Sequence, residues 1–322
     1  MIKKDIFDHD VKAQFQASAK ERLYRFLMAD DQIKGVVVHA TRMVKELQAN
    51  HDTGPLETLI LGQAYIAAAL MSASLKGRDR IAINIQSSGP IKGLDVEANA
   101  FGEIRGYLKP NPIEVKNPGK IKQLSTLYGA GFLSVTKYIE DANRPYTGQI
   151  ALVHGSIAED LAAYFLTSEQ IPSGFSLSVA FDENEKITGA GGIFLQALPG
   201  AQPDNVAQAE AMIRDMGVLG HRFAQNQTPE SIIKTSFANL SPRFLNSSRV
   251  EFYCRCAKDR MAGYLKNLPK KDRTDILANG PFPLTLRCHH CNSVYRFSQK
   301  ELTSVLNEGN NDVDHHGRHR KH

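Results

Sequence analysis

Cysteine is nearly absent: the 322 residues hold four, and none stands before position 254. A stretch of 253 residues without a thiol excludes a disulfide-stapled scaffold there. The first fifteen residues contain no apolar run of the secretory kind, which points to the cytoplasm, where thiols stay reduced. No long apolar stretch is free of polar residues. The most apolar one, residues 56–75, carries Glu57, Gln63, Ser72 and Ser74 and many alanines, so it predicts a buried core helix rather than a membrane span.

Enzyme motifs are missing as well. Gly189, Gly191 and Gly192 lack the dinucleotide-binding spacing and precede a strand-like run, so they predict a turn or a close packing position. Gly119 and Lys120 lack the upstream glycine and the following hydroxyl residue of a phosphate-binding loop. No cysteine stands near a plausible catalytic base in sequence, and there is no internal repeat. No enzyme is expected, and the missing phosphate-binding loop agrees with an activity that does not consume ATP.

What is present is concentrated near the end. Cys254 and Cys256 flank Arg255, 31 residues follow, and Cys288 and Cys291 then flank His289 and His290. Two clusters of soft thiolates suit the tetrahedral demand of one Zn²⁺, with Cys254, Cys256, Cys288 and Cys291 as ligands and no open position for catalysis. Four thiolates saturate the metal, which leaves His289 and His290 as solvent-exposed residues. The 57 residues 249–305 carry only scattered apolar side chains, among them Met261, Leu265, Leu286, Val294 and Phe297. A module of that size is marginal without a staple. Structural zinc contributes about 10–16 kcal/mol of apparent binding energy in small peptides, so metal loss is expected to unfold it.

Net charge is mild, +5 from 39 basic and 34 acidic residues. Residues 249–305 hold 11 Lys/Arg and 5 Asp/Glu, and four thiolates with one Zn²⁺ lower that surplus of six to about +4. This keeps nucleic-acid binding by a constitutive zinc module as the alternative reading. A purely structural zinc is a third. The thiolates are also oxidisable, and each neighbouring pair could close a disulfide that expels the metal.

Along the chain, residues 1–34 read as an amphipathic opening. Strands are predicted at 35–39, 80–86, 93–98, 103–108, 132–139, 148–153, 175–181 and 187–197. Helices are predicted at 41–50, from 56 and at 157–166. The fold class is α+β: a mainly antiparallel sheet core with packed helices over 1–198. Pro199 to Pro203 break the composition. A helical, lightly hydrophobic connector is expected over 199–248, with Thr228 capping a helix and 239–248 as loop. A zinc module follows at 249–306, then a disordered His-rich tail at 307–322.

Beyond these patterns lies a resemblance. The run from Val250 through Cys256, Arg260 and Leu265, then Arg287, Cys288, His289, His290, Cys291 and Asn292 followed by Tyr295 and Phe297, resembles the C-terminal module of the 33 kDa chaperonin family. Upstream, the residues from Gly189 to Gln196, from Tyr164 to Pro172 and from Ser88 to Pro90 are similar in the same order. The resemblance implies a redox-regulated, ATP-independent holdase chaperone that binds unfolding client proteins. It implies zinc on Cys254, Cys256, Cys288 and Cys291 in a reduced, inactive monomer. It implies oxidation to disulfides linking Cys254 with Cys256 and Cys288 with Cys291, zinc release, unfolding of module and connector, and an active homodimer. His290 stands where the family often carries an aromatic residue.

Overall fold

β-branched runs and period-two alternation lay down two sheets, and one helix of almost continuous apolar sequence packs on both. The computed structural model describes residues 1–115 and 123–308. By its contacts the chain divides into a larger unit, Lys4–Tyr253, and a smaller one, Met1–Lys3 with Cys254–His322.

In the larger unit the chain runs α1 (Val11–Lys20), β1 (Arg22–Met28), β2 (Ile33–His39), α2 (Thr41–His51), α3 (Pro55–Ser72), β3 (Arg80–Ser87), β4 (Gly93–Asn99) and β5 (Glu103–Leu108). It continues through β6 (Gly131–Tyr138), β7 (Tyr146–Ala151), α4 (Ile157–Ser168), β8 (Ser173–Phe181) and β9 (Ile187–Ala197). It closes with α5 (Pro203–Asp215), α6 (Leu219–Ala224), α7 (Pro229–Ser236), β10 (Arg243–Arg249) and β11 (Glu251–Phe252). One sheet has the order β10-β1-β2-β9-β8 and the other β11-β5-β4-β3-β6-β7. Every pairing in them is antiparallel except β11 on β5.

The pattern in β3 shows why. Ile81, Ile83 and Ile85 are buried, and Ile83 pairs with Val96 on one side and Val135 on the other. Such apolar cross-strand rows fix the register, because a slip of one residue would turn every isoleucine to water. α3 buries 14 of its 18 residues and contacts strands of both sheets, as a helix apolar on all sides must. Its Tyr65 hydroxyl is satisfied by donating to the Gly106 carbonyl at 2.9 Å. Among the described residues, no helix is long and apolar enough to cross a membrane. The α+β class with antiparallel sheets and packed helices is the one the sequence predicts.

Three local readings change. The opening 1–34 holds a helix, α1, and a strand, β1. The arginines of β1 disguise it: Arg22 bonds Ser247, and Arg25 bonds Asn246 and Ser248, all on the neighbouring strand. Residues 239–248, predicted as loop, supply that neighbour, β10. It carries few apolar side chains and is held by its backbone ladder to β1. Among the described residues, the core through residue 198 therefore has nine strands rather than the eight predicted, and two more join its sheets from beyond.

The segment 199–248 belongs by contact to the larger unit. Its docking is uneven. α5 buries only Ala209, whereas Leu219, Phe223, Ile232, Ile233, Phe237 and Leu240 are all buried. They share one apolar cluster with Phe26, Met28, Ile33, Val37, Ile193 and Leu195 of β1, β2 and β9. Thr228 caps α7 as its sequence predicts, accepting the Ser231 N–H at 3.1 Å.

The smaller unit contains α8 (Lys258–Lys266), α9 (Lys270–Asn279), β12 (Leu284–Arg287), β13 (Val294–Phe297) and α10 (Gln299–Glu308). β12 and β13 form an antiparallel hairpin. Ser298 and Glu301 close a capping box at the start of α10: the Ser298 N–H donates to the Glu301 carboxylate at 2.8 Å, and the Glu301 N–H donates to Ser298 Oγ. Residues 116–122, with Gly119 and Lys120 among them, lie outside the described residues; of the tail expected at 307–322, residues 307 and 308 belong to α10 instead, and those from 309 onward lie outside the described residues.

Candidate metal centre

Two backbone devices bring the cysteines together. Cys254 and Cys256 sit in an extended stretch ahead of α8, so alternate side chains, two residues apart, share one side. Cys288 and Cys291 sit in the turn of the β12–β13 hairpin. There the Asn292 N–H donates to the Cys288 carbonyl at 2.7 Å and the Cys288 N–H donates to the Ser293 carbonyl at 2.9 Å. Asn292 takes the left-handed conformation that lets the turn close, φ 57°, and its side chain accepts from Arg287 at 2.7 Å.

The four sulfur atoms lie within 4.8 Å of one another. Across the two clusters, Cys254 Sγ is 3.8 Å from Cys288 Sγ and Cys256 Sγ is 3.3 Å from Cys291 Sγ. All four are free thiols and all are buried. A disulfide needs about 2.05 Å, far less than these separations. Four sulfurs around one zinc at about 2.3 Å would stand about 3.8 Å apart, close to what the cluster shows. The arrangement could hold a metal ion.

Electrostatics point the same way. The Cys256 thiol is pushed down by contacts from Cys254, then Cys288 and Cys291. The Cys288 thiol is pushed up by Cys254, Cys256 and Cys291, and the Cys291 thiol is pushed up first by Cys254 and Cys256. Sulfurs this close share protons because four bare thiolates would repel, and a bound cation removes that conflict. Tyr295 adds a polar wall: its hydroxyl lies 3.2 Å from Cys256 Sγ and donates to the Cys256 carbonyl at 3.1 Å. The Cys291 thiol donates to Ser293 Oγ at 3.2 Å.

The apolar support is small. Met261, Leu265, Tyr295, Phe297, Leu302 and Leu306 are buried, while α9 buries nothing. Of the side chains singled out in the sequence, Met261, Leu265 and Phe297 are in this core, and Leu286 and Val294 only flank it. His289 is exposed as expected; His290 is half-buried instead, drawn in by its place in the hairpin turn. Ser293, Leu302 and Leu306 were not legible as site or core residues. Leu302 and Leu306 are four apart on α10, a spacing that marks one helix face.

The glycines Gly189, Gly191 and Gly192 form no loop; they lie in the inner strand β9, paired with β2 and β8. Gly189 and Gly191 also meet α6, at Gly220 and Phe223. They are close packing positions.

Comparison with known proteins agrees with this architecture. The family model described as Hsp33 protein matches residues 21–298. The 33 kDa chaperonin of Desulforamulus reducens is 34% identical over 289 residues, 89% of this chain and 97% of the relative. That of Lactiplantibacillus plantarum is 32% identical over 294 residues, 90% of this chain and 99% of the relative. The crystal structure of the 33 kDa chaperonin from Thermotoga maritima superposes with a TM-score of 0.82 at 28% identity, covering 91% of this chain and all of that one. With its two antiparallel sheets, packed helices and four-cysteine cluster, the chain belongs to the Hsp33 family, the non-enzymatic 33 kDa chaperonins.

Proposed function

We propose that this chain is a redox-regulated, ATP-independent holdase of the cytoplasm, with zinc held by Cys254, Cys256, Cys288 and Cys291 while the protein is reduced and inactive. The observation that carries the reading is the gathering of four buried free thiols, from clusters 31 residues apart, within 4.8 Å. Bound zinc supplies a cross-link worth about 10–16 kcal/mol to a unit whose own apolar core is slight. His289 and His290 are not ligands in this reading.

Activation follows from the same sulfurs. Two thiolates give two electrons to a peroxide, which takes up two protons and leaves as two waters, while one S–S bond forms. Two such steps consume two peroxides. The final pairing is Cys254 with Cys256 and Cys288 with Cys291, as the family resemblance implies. In the folded unit the sulfur contacts also run across the clusters, at 3.3 and 3.8 Å. Short-range pairing therefore prevails once the unit has opened, when residues two and three apart in sequence are each other's nearest neighbours.

The client surface follows from the docking of 199–248. When α6 and α7 melt, their cluster residues leave Phe26, Met28, Ile33, Val37, Ile193 and Leu195 uncovered on one sheet. A contiguous apolar patch of this kind binds other unfolded chains, and two copies in the active form would associate as a dimer. The reduced form is a monomer.

The test measures bound zinc, free thiols, disulfide pairing by peptide mapping and suppression of client aggregation, before and after peroxide. Zinc release with intrapair disulfides and a gain of holdase activity is expected. Zinc release without that gain refutes the switch. Salt-dependent RNA binding by the reduced, zinc-loaded form would favour the nucleic-acid alternative.

A further inference from the structure

The first two residues of the chain are bonded into the cysteine cluster from the far end of the sequence. The Met1 ammonium donates to the Cys256 carbonyl at 2.7 Å. The Cys254 N–H donates to the Met1 thioether, Sδ, at 3.0 Å. Ile2 then makes a two-way bridge with Ser293: its N–H donates to Ser293 Oγ at 2.9 Å, and Ser293 Oγ donates to the Ile2 carbonyl at 3.1 Å. The same Ser293 oxygen receives the Cys291 thiol at 3.2 Å. Met1 thus touches the Cys254–Cys256 stretch, and Ile2, through Ser293, touches the hairpin that carries Cys288 and Cys291.

These bonds answer needs of the site's own backbone. Cys254 is wholly buried and Ser293 is 3% exposed, so a Cys254 N–H or a Ser293 hydroxyl without a partner there would cost free energy. The Met1–Ile2 dipeptide supplies a partner to each, and by touching both cysteine-bearing stretches it ties them to each other independently of any metal. The Hsp33 family match begins at residue 21, so the strap belongs to the extension ahead of the matched region.

We propose that Met1 and Ile2 form a strap that locks the two cysteine stretches together and sets how slowly the metal centre opens. The amino nitrogen and the thioether of Met1 both bond to the site's backbone. A dipeptide placed ahead of Met1 turns its ammonium into an amide and adds bulk beside the Cys256 carbonyl, which loosens the strap while leaving all four cysteines in place. The proposal rests on the metal reading of the cluster for its rate consequence and on hydrogen bonding alone for its existence.

The experiment compares the full chain released from a cleavable fusion with native Met1, the same chain with a Gly-Ser dipeptide ahead of Met1, and Ser293→Ala. Each is loaded with zinc and mixed with a chromogenic zinc chelator in the absence of oxidant. Partners just outside a metal's ligands typically change its affinity by about 10–100-fold. The extended chain and Ser293→Ala are expected to lose zinc about tenfold faster than the native chain. Equal rates within twofold for the native and extended chains overturn the strap; the extended chain alters no existing side chain and so guards against a folding defect in Ser293→Ala. If the native chain takes up no zinc, the metal reading fails instead. Hydrogen exchange at the Ile2 and Cys254 amides then decides: protection in the native chain that is lost on extension upholds the strap, and equal exchange overturns it.

Discussion

Gly189 and Gly220 meet backbone to backbone: a Cβ on Gly189 would fall inside contact distance of the Gly220 carbonyl oxygen and lie 2.8 Å from the Ala224 nitrogen. The Gly220 N–H, for its part, donates to Ser178 Oγ on β8 at 2.5 Å. Helix α6 is thereby seated directly on strands β8 and β9, with no side chain between them at that point.

Gly189→Ala should therefore pry α6 off the sheet. Overpacking of this kind costs about 1–3 kcal/mol. Urea denaturation is expected to show that loss, and an apolar dye should bind the reduced variant more than the parent. Zinc content should not change, because the cysteines lie in the other unit. Unchanged dye binding would mean α6 does not cover the apolar cluster that Phe223 helps to form.

Glu21 offers a pH test. Burial pushes its carboxyl up to about 8; the Met43 N–H bond opposes that, Glu46 adds to it and Arg42 lowers it. A folded pKa above the unfolded value of 4.5 means the folded state holds the proton more tightly. This stability is complete below pH 4.5 and is lost as pH rises through about 8, a total on the order of 3–5 kcal/mol. Glu21→Gln keeps an oxygen for the Met43 N–H, which Glu21 bonds at 2.9 Å. Denaturation midpoints measured from pH 5 to 9 should fall for the parent and stay nearly flat for the variant.

Cys288→Ser removes one corner of the cluster. The variant is expected to hold no zinc at chelator concentrations the parent withstands. Amide protection should vanish across α8, the β12–β13 hairpin and α10 while persisting in α3 and β3, measured by hydrogen exchange. Retained protection across the smaller unit would show that Met261, Leu265, Phe297 and their neighbours suffice to fold it.

Tyr295→Phe deletes the hydroxyl that lies 3.2 Å from Cys256 Sγ and donates to its carbonyl. The ring, and so the packing, remains. Zinc affinity is expected to fall roughly tenfold, at the low end for partners of metal ligands. Competition with a calibrated chelator checks this, and a value unchanged within twofold would make the tyrosine a packing residue only.

The cysteine cluster was the most legible feature, because short-range spacing within each pair and the soft ligand type survive in one dimension. Strands with apolar alternation were legible for the same reason; Ile81, Ile83 and Ile85 declare their face without help. What escaped were features held by polar atoms over long separations. β10 reads as loop because its ladder partner lies more than two hundred residues upstream and its side chains bond arginines. Ser293 looks like a turn residue until Ile2 is found against it. Gly189 advertised close packing but could not name Gly220.

The edge strand β10 is fastened in an uncommon way for a strand of a core sheet. Apart from Phe244, which packs near Tyr24 and Phe26, it is held by its ladder and by the polar bonds of Arg22, Arg25 and the Asp31–Arg243 pair. Bonds of this type trade readily with water, each contributing about 0.5–1.5 kcal/mol net. Peeling β10 away would thus sacrifice little apolar burial and would bare the main-chain donors and acceptors of β1 along one side. Main chain is the one surface that all polypeptides share, so an edge uncovered in this manner reads extension and ignores sequence.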